Sequence, residues 1–438
     1  MKLIYNVKDK PKFGQLIVFA FQQLLAILAA TIAVPAIVGN GMSQAAALFG
    51  AGIGTLVYLL FTKFKSPVFL GSSFAFIGSM LAAFAGATSA QLGFLGMILG
   101  AAFAGLVYVV IALIVKVAGV KWIDKLMPAV VIGPTVSIIG LSLAGNAVGD
   151  FTAANAGVNT YVAVICGLVT LFTVILCSVY GKKTLKLIPF IIGIAAGYVV
   201  ALCFTLIGRS TGNEALMVIN LSAFENMKLF SVPQFTFVEA FKGVGELTPS
   251  YIATIAAAYV PVAFVVFAEH IADHKNLSSV IGTELLEEPG LHRTLLGDGV
   301  GSICGAFFGG CPNTTYGESV GCVAITGNAS VVTILATAIL AIIASFFSPF
   351  VVLLSTIPGC VMGGVCITLY GFIAVSGLKM IQKVDLGENK NLFVVAVILI
   401  AGIGGLSISF GNVTITEVAC ALILGIITNL LVSGKKAQ

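Results

Sequence analysis

Charge is what this sequence has least of. Only 9% of its 438 residues are Asp, Glu, Lys or Arg, while 59% are hydrophobic and the mean hydropathy is +1.12. Soluble domains carry about 25% charged residues, so a water-soluble enzyme of this length is excluded. Histidine is almost as sparse, at three. No H-E-x-x-H or CxxC occurs, and with so few histidines neither a nucleophile–base constellation nor a metal site nor an enzyme is expected. The nine cysteines (166, 177, 203, 304, 311, 322, 360, 366 and 420) lie in or beside apolar segments and read as small buried packing residues. No cleavable signal is expected: the basic start (Lys2, Lys8, Lys10, Lys12) runs into Phe13–Val38, too long for a signal h-region. The net charge of +5 is spread over short loops, which argues against a nucleic-acid partner.

What remains is a lipid bilayer partner. A helix needs about 20 apolar residues to cross the hydrocarbon core, and the long runs lack the period-2 alternation of a barrel. The sequence reads as an all-α polytopic membrane protein. Fourteen segments are expected: 14–37, 44–62, 67–85, 92–117, 123–145, 160–180, 185–208, 250–272, 293–310, 311–326, 329–347, 349–374, 392–410 and 416–433. With both termini cytoplasmic, all but three of the 22 bases fall inside, the exceptions being Arg209, Lys228 and Lys242 in the long connection 209–249. That asymmetry is what the positive-inside rule demands. The aromatic-rich part of this connection, Phe224–Phe241, is expected at the membrane interface.

Seven segments precede the connection and seven follow, which predicts a 7+7 inverted repeat. Pro128–Gly133 in segment five resembles Pro358–Gly363 in segment twelve, and Ser72–Phe76 in segment three resembles Thr314–Glu318 in segment ten. Segments three and ten open on short, helix-averse stretches, Leu70-Gly-Ser-Ser73 and Gly309-Gly-Cys-Pro-Asn-Thr-Thr315. Irregular backbone survives at membrane depth only where protein or a cavity satisfies its amides. Each stretch is therefore read as a short strand followed by a half-helix. The two strands are able to pair, and both helix N-termini point at a shared midplane site.

Ionisable groups inside spans cost on the order of 3 kcal/mol and ask for a reason. In segment eight, Glu269 and Asp273 are four apart on one helical face, with His270 and His274 on the adjacent face and His274 near the cytoplasmic end beside Lys275. Glu318 starts the second half-helix; Asp298, within Gly-Asp-Gly, reads as a structural or proton-network residue. Two carboxylates can accept N–H donors of a bound ligand through charge-assisted bonds, while half-helix amides serve its acceptors. Phe74 and Tyr316 offer an apolar, planar slot. Two acids buried close together do not both stay ionised cheaply, so proton binding has a means of accompanying the substrate.

The same residues carry a family resemblance. Leu70–Ile77, Ala268-Glu-His270, Pro289–Arg293, Pro312–Glu318 and Met362-Gly-Gly-Val…Leu369-Tyr-Gly371 resemble the nucleobase–ascorbate transporter family (nucleobase:cation symporter type 2), most nearly its bacterial uracil-carrying members. The resemblance implies a secondary active symporter in the cytoplasmic membrane that imports uracil by alternating access, with H⁺ or in the alternative Na⁺, and acts as a homodimer without a cofactor. It implies a core domain (1–120 and 250–347, segments 1–4 and 8–11), a gate domain (121–208 and 348–438, segments 5–7 and 12–14) and the extracytoplasmic connection 209–249. Substrate binding falls by the same implication to Glu269, Glu318, Phe74, Gly317, Tyr316, Tyr370, Ala30 and Gln23, and proton coupling to Asp273, Glu269 and Asp298.

Three departures stand out: the family's Gln-His pair is Gln22-Gln23 here, a histidine four residues after the binding glutamate is Asp273, and the asparagine after the second glutamate is Ser319. Asp273 and Gln23 keep a xanthine or urate permease open. An anion carrier on the same architecture is a more distant alternative, because such a site wants an intramembrane cation and none is present.

Overall fold

The computed structural model describes residues 3–119, 122, 127–152, 157–182, 185, 188–225, 227–410 and 413–433. Seven of the bases assigned above to the inner side (Lys2, Lys121, Lys125, Lys183, Lys186, Lys435 and Lys436) lie outside the described residues. The chain is mostly helical. In order come α1 (Phe13–Val38), α2 (Gln44–Phe61), strand β1 (Leu70–Ser72), a 3-10 turn (Phe74–Phe76), α3 (Ile77–Ala85) and α4 (Ala90–Ala118). These are followed by α5 (Ala129–Ser142), α6 (Ala144–Thr152), α7 (Thr160–Tyr180) and α8 (Pro189–Thr211). After a connection containing α9 (Thr236–Ala240) come α10 (Pro249–Ile281), α11 (Leu291–Gly309), β2 (Asn313–Thr315), α12 (Gly317–Thr326) and α13 (Val331–Phe346). The chain closes with α14 (Ser348–Ser355), α15 (Gly359–Ile381), α16 (Asn389–Ile403), the strands β3 (Ile408–Phe410) and β4 (Val413–Ile415), and α17 (Glu417–Ser433). Counting α5 and α6 as one run, eight helices among the described residues are long and apolar enough to cross a membrane, and shorter apolar helices accompany them.

Four of the expected segments end elsewhere. Segment eight continues past residue 272 to Ile281, where Gly282 takes φ +69° and closes α10, so His274 lies well inside the helix instead of at its end. Segment twelve is two helices, α14 and α15, because Pro358 holds an extended conformation and caps the second. Segment thirteen stops at Ile403: Gly404 and Gly405 (φ +70°) break it, and the β3–β4 hairpin, absent from the sequence reading, follows. Segment five is broken at Leu143 into α5 and α6.

The helices pack in two groups. In the first, α11 lies against α2 and α4, α13 against α1 and α2, and α10 against α4. The α2–α11 seam is made of glycines. A Cβ on Gly50 would strike the Gly305 carbonyl, and one on Gly54 would strike the Gly301 carbonyl and the Asn313 side chain. Small residues let backbones approach this closely where lipid supplies no hydrophobic drive. In the second group, α15 packs along α5, α6 and α7, and α16 packs against α5 and α17. Within the first group, β1 and β2 pair antiparallel against α1, α2, α10 and α11, with Leu70 opposite Thr315, Gly71 opposite Thr314 and Ser72 opposite Asn313. The pairing is extended by Ser73 N–H to the Pro312 carbonyl (2.9 Å) and Tyr316 N–H to the Phe69 carbonyl (3.1 Å). The expected pair of strand–half-helix units is thus present.

The connection 209–249 is partly built into the protein. Phe235 packs edge-on against Phe49 at 4.9 Å and Phe237 stacks on Phe307 at 4.9 Å, so these rings face inward; Phe230 and Phe241 stay exposed. Its end is tied down by Glu246, whose carboxylate accepts from the hydroxyls of Thr88 (2.6 Å) and Ser89 (2.8 Å). Those donors hold Glu246 below the usual carboxylate range. The stabilisation is therefore present at neutral pH and disappears as pH falls through the lowered value. Glu246→Ala is expected to remove this acid-sensitive increment: melts of the purified protein at pH 7 and pH 4 should differ less than those of the parent. Because the group is exposed the effect is small, and an unchanged pH difference would count against the tie.

The cysteine expectation needs one correction. Six are buried and Cys177 and Cys304 partly so, but Cys203 is exposed on α8.

Candidate functional site

Where the two helix groups meet, a cavity of about 440 Å³ reaches from the strand pair toward the end of the molecule that carries Lys182, Lys275 and Lys379. Helix α10 contributes Glu269 and Asp273, four residues apart, so that both carboxylates project from one face. Opposite them, α12 begins at the cavity wall, with Tyr316 as its N-cap, then Gly317 and Glu318. No side chain caps α12, and none caps the start of the 3-10 turn at Phe74 or of α3. The first-turn amides of the broken helices are thus left for other acceptors.

Asp273 is fixed by the Thr315 hydroxyl, which donates to its Oδ2 at 2.9 Å. A Cβ at Gly317 would lie 3.7 Å from Asp273 Oδ1, so this carboxylate sits beside the first residue of α12. The Tyr316 ring lies over Gly71, where any side chain would collide with it, and its hydroxyl donates to the Ser72 carbonyl at 2.8 Å. Phe74 lines the cavity and meets the Tyr370 ring edge-on at 5.8 Å. The wall opposite the acids is largely apolar, with Phe190, Leu369, Phe372 and Met380 relieved by the hydroxyls of Ser178 and Ser376.

Of the sequence-predicted site residues, the structure brings Glu269, Glu318, Asp273, Phe74, Tyr316 and Gly317 to this one cavity. Ala30, Gln23, Tyr370 and Asp298 are not among its lining residues. Ala30 is buried in α1, and Ala26, one turn earlier, reaches the wall instead. Tyr370 stands behind Phe74. Gln23 donates through Nε2 to the Ser319 hydroxyl, which also accepts from Phe69 N–H at 3.0 Å. Two of the departures from the family pattern, Gln23 and Ser319, are therefore partners of one another.

Asp298 lies on the far side of α10, fully buried, with Oδ2 2.6 Å from His270 Nδ1. His270 Nε2 meets the Thr294 hydroxyl at 2.9 Å. His274 Nδ1 meets the His270 carbonyl at 2.7 Å, and its Nε2 meets the Tyr58 hydroxyl at 2.7 Å. The four ring nitrogens at the i, i+4 histidine spacing thus serve a buried hydrogen-bond chain. The sequence reading missed Asn276, which lines the cavity. At seven residues from Glu269 it continues the same face, and extending the helical period would have found it.

Comparison with known proteins places this geometry. The family model described as the permease family matches residues 14–409. The uracil permease of Bacillus caldolyticus is 40% identical over 438 residues, covering 99% of this chain and 96% of that one. The uracil permease of Bacillus subtilis is 40% identical, with 100% and 97% coverage, and that of Escherichia coli 34% identical, with 97% and 93%. Among solved structures, the transmembrane domain of the cyanobacterium bicarbonate transporter BicA superposes with a TM-score of 0.65 at 16% identity, covering 97% of this chain and all of that one. A murine Solute Carrier 26 family anion transporter in the inward-facing state superposes with a TM-score of 0.66 at 11% identity, covering 97% and 69%. At these identities the structural likeness speaks for the fold alone. The multi-pass helical fold and the near full-length match lead to one conclusion: the chain belongs to the permease family, the nucleobase:cation symporter type 2 transporters that its Ala268-Glu-His270 and Pro312–Glu318 stretches resemble.

Proposed function

We propose that the chain imports uracil across the cytoplasmic membrane as a secondary active symporter, with the base held between Glu269 and Glu318. The observation that carries the reading is the convergence, in one cavity, of a carboxylate from α10, a carboxylate from the first turn of α12, and the uncapped start of that helix. The two acids accept the ring N–H groups, the free amides donate to the carbonyls, and Phe74 and Tyr316 confine the plane of the ring. The relatives named as uracil permeases, at 34–40% identity over nearly the whole chain, support the choice of base.

In this reading fourteen segments form a 7+7 inverted repeat with both termini cytoplasmic. The group containing α1–α4 and α10–α13 is a core that holds the base. The group containing α5–α8 and α14–α17 is a gate whose apolar wall moves against it, and two copies associate as a homodimer. Asp273 carries or tunes the coupled proton, in concert with Glu269, while the Asp298–His270 pair behind α10 holds the network in place. Na⁺ is the alternative coupled ion.

The purine alternative draws on Asp273 alone, since Gln23 is engaged with Ser319 away from the cavity. An anion carrier finds no lysine or arginine among the lining residues. The test is uptake into proteoliposomes under imposed proton or sodium gradients, with unlabelled uracil, xanthine and urate as competitors. Uracil is expected to abolish labelled uptake at concentrations where the purines leave most of it, and the proton gradient alone is expected to drive accumulation. Competition by xanthine but not by uracil would overturn the assignment.

A further inference from the structure

A second chamber, of about 200 Å³, lies on the other side of Phe74, toward the end of the molecule opposite the basic loops. Phe74 lines both spaces and is the wall between them. The chamber sits, like the main cavity, between the two helix groups: Gly78 and Ser79 face it from α3, Asn146 from α6, and Thr416 and Glu417 from the start of α17. Its volume corresponds to about seven waters at ~30 Å³ each, the space of one small heterocycle.

Its polar groups are not all consumed by the fold. The Ser79 hydroxyl donates to the Ala258 carbonyl at 2.7 Å and is satisfied. Among the described residues, by contrast, the buried Thr416 hydroxyl has no hydrogen-bond partner and Glu417 forms no ion pair. A buried hydroxyl left alone costs about 1–3 kcal/mol, so an orphan at a cavity wall points to an occupant. The donor set repeats the main site in miniature: a carboxylate for a ring N–H, hydroxyl and amide donors for carbonyls, and one face of an aromatic ring.

We propose that this chamber is an outer subsite for the same class of ligand, a neutral planar heterocycle with adjacent N–H and carbonyl groups, held by Glu417, Thr416 and Asn146 before it passes Phe74. The inference rests on the uracil reading. Entry from outside requires the ring to move from one face of Phe74 to the other, and the edge-on contact with Tyr370 holds that door shut in this conformation. Gly78 offers a probe independent of the polar groups, because a Cβ there meets nothing within 4 Å and a longer side chain grows into the chamber.

Labelled uracil provides the test, with whole-cell uptake reporting entry from outside and inside-out vesicles reporting entry from the other face. Thr416→Val with Glu417→Gln is expected to raise the uptake KM at least fivefold, and Gly78→Leu to do the same. In both, the KM in inside-out vesicles should stay within twofold of the parent. Unchanged uptake KM in Gly78→Leu overturns the subsite, whether or not the α17 variant reaches the membrane. Equal KM rises on both faces also overturn it, since the central site has then been altered. Failure of the uracil reading looks different: the parent itself takes up no uracil.

Discussion

Glu269→Gln is expected to abolish uracil accumulation. The carboxylate projects from the middle of α10 into the cavity, and glutamine has nearly its shape. The substitution removes the charge that makes the hydrogen bond strong, and it places an amide N–H where only an acceptor serves. A hydrogen bond to a charged group contributes about 1.5–3 kcal/mol, so affinity should fall by about one to two orders of magnitude. With the charge that shares the coupled proton also gone, no uptake above background is expected in cells. Glu318→Gln should behave alike in binding, because in the proposed pose its carboxylate, from the first turn of α12, meets the same ligand. Measured uptake of labelled uracil, alongside surface expression, decides the matter: a glutamine variant that accumulates uracil at the parental rate would remove Glu269 from the site.

The second large effect is expected from Asp273→Asn, and it differs in kind. The asparagine side chain can still accept from the Thr315 hydroxyl through its amide oxygen, so the local geometry at the start of α12 is retained while the charge is lost. Binding and the exchange of internal for external uracil should survive within about threefold, a change below about 0.7 kcal/mol. Accumulation against a gradient, which requires a proton to travel with the base, should fail. The dependence of uptake on external pH should flatten. Proteoliposomes separate the two readouts, since counterflow measures movement of the base and gradient-driven uptake measures coupling. A variant whose pH profile matches the parent would exclude Asp273 from coupling.

Much of the architecture was legible in the residues. Long apolar runs give away helices, and Leu70–Ser73 and Gly309–Thr315 are too polar and too glycine-rich to be helical, which is why the paired strands could be anticipated. The acids of the candidate site could be read for the same reason: Glu269, Asp273 and Glu318 are charges where lipid tolerates none. What stayed hidden is what depends on neighbours distant in sequence. The partnership of Gln23 with Ser319 joins positions 296 apart, and nothing in either local stretch announces it. Asp298 reads as a structural or proton-network residue, but its partner, His270, lies 28 positions away and only packing reveals it. Cys203 looked buried because its run is apolar, yet helices facing lipid are apolar on the outside as well. The β3–β4 hairpin was absorbed into a span because Ile408–Phe410 is apolar enough to extend the preceding run, with only Gly404 and Gly405 marking the break.

The strand pair has a consequence for how a transport cycle can run. The backbone bonds between Leu70–Ser72 and Asn313–Thr315 staple together the two interrupted helices, one from each half of the chain. A motion that drew those helices apart would have to break this ladder in a medium without water to replace it, at a cost of several kcal/mol for each orphaned amide or carbonyl. In the proposed cycle the paired strands and the half-helices that follow them must then travel as a single solid piece. Throughout that cycle the two half-helix starts keep their spacing, and access changes as the greasy wall beside them slides past.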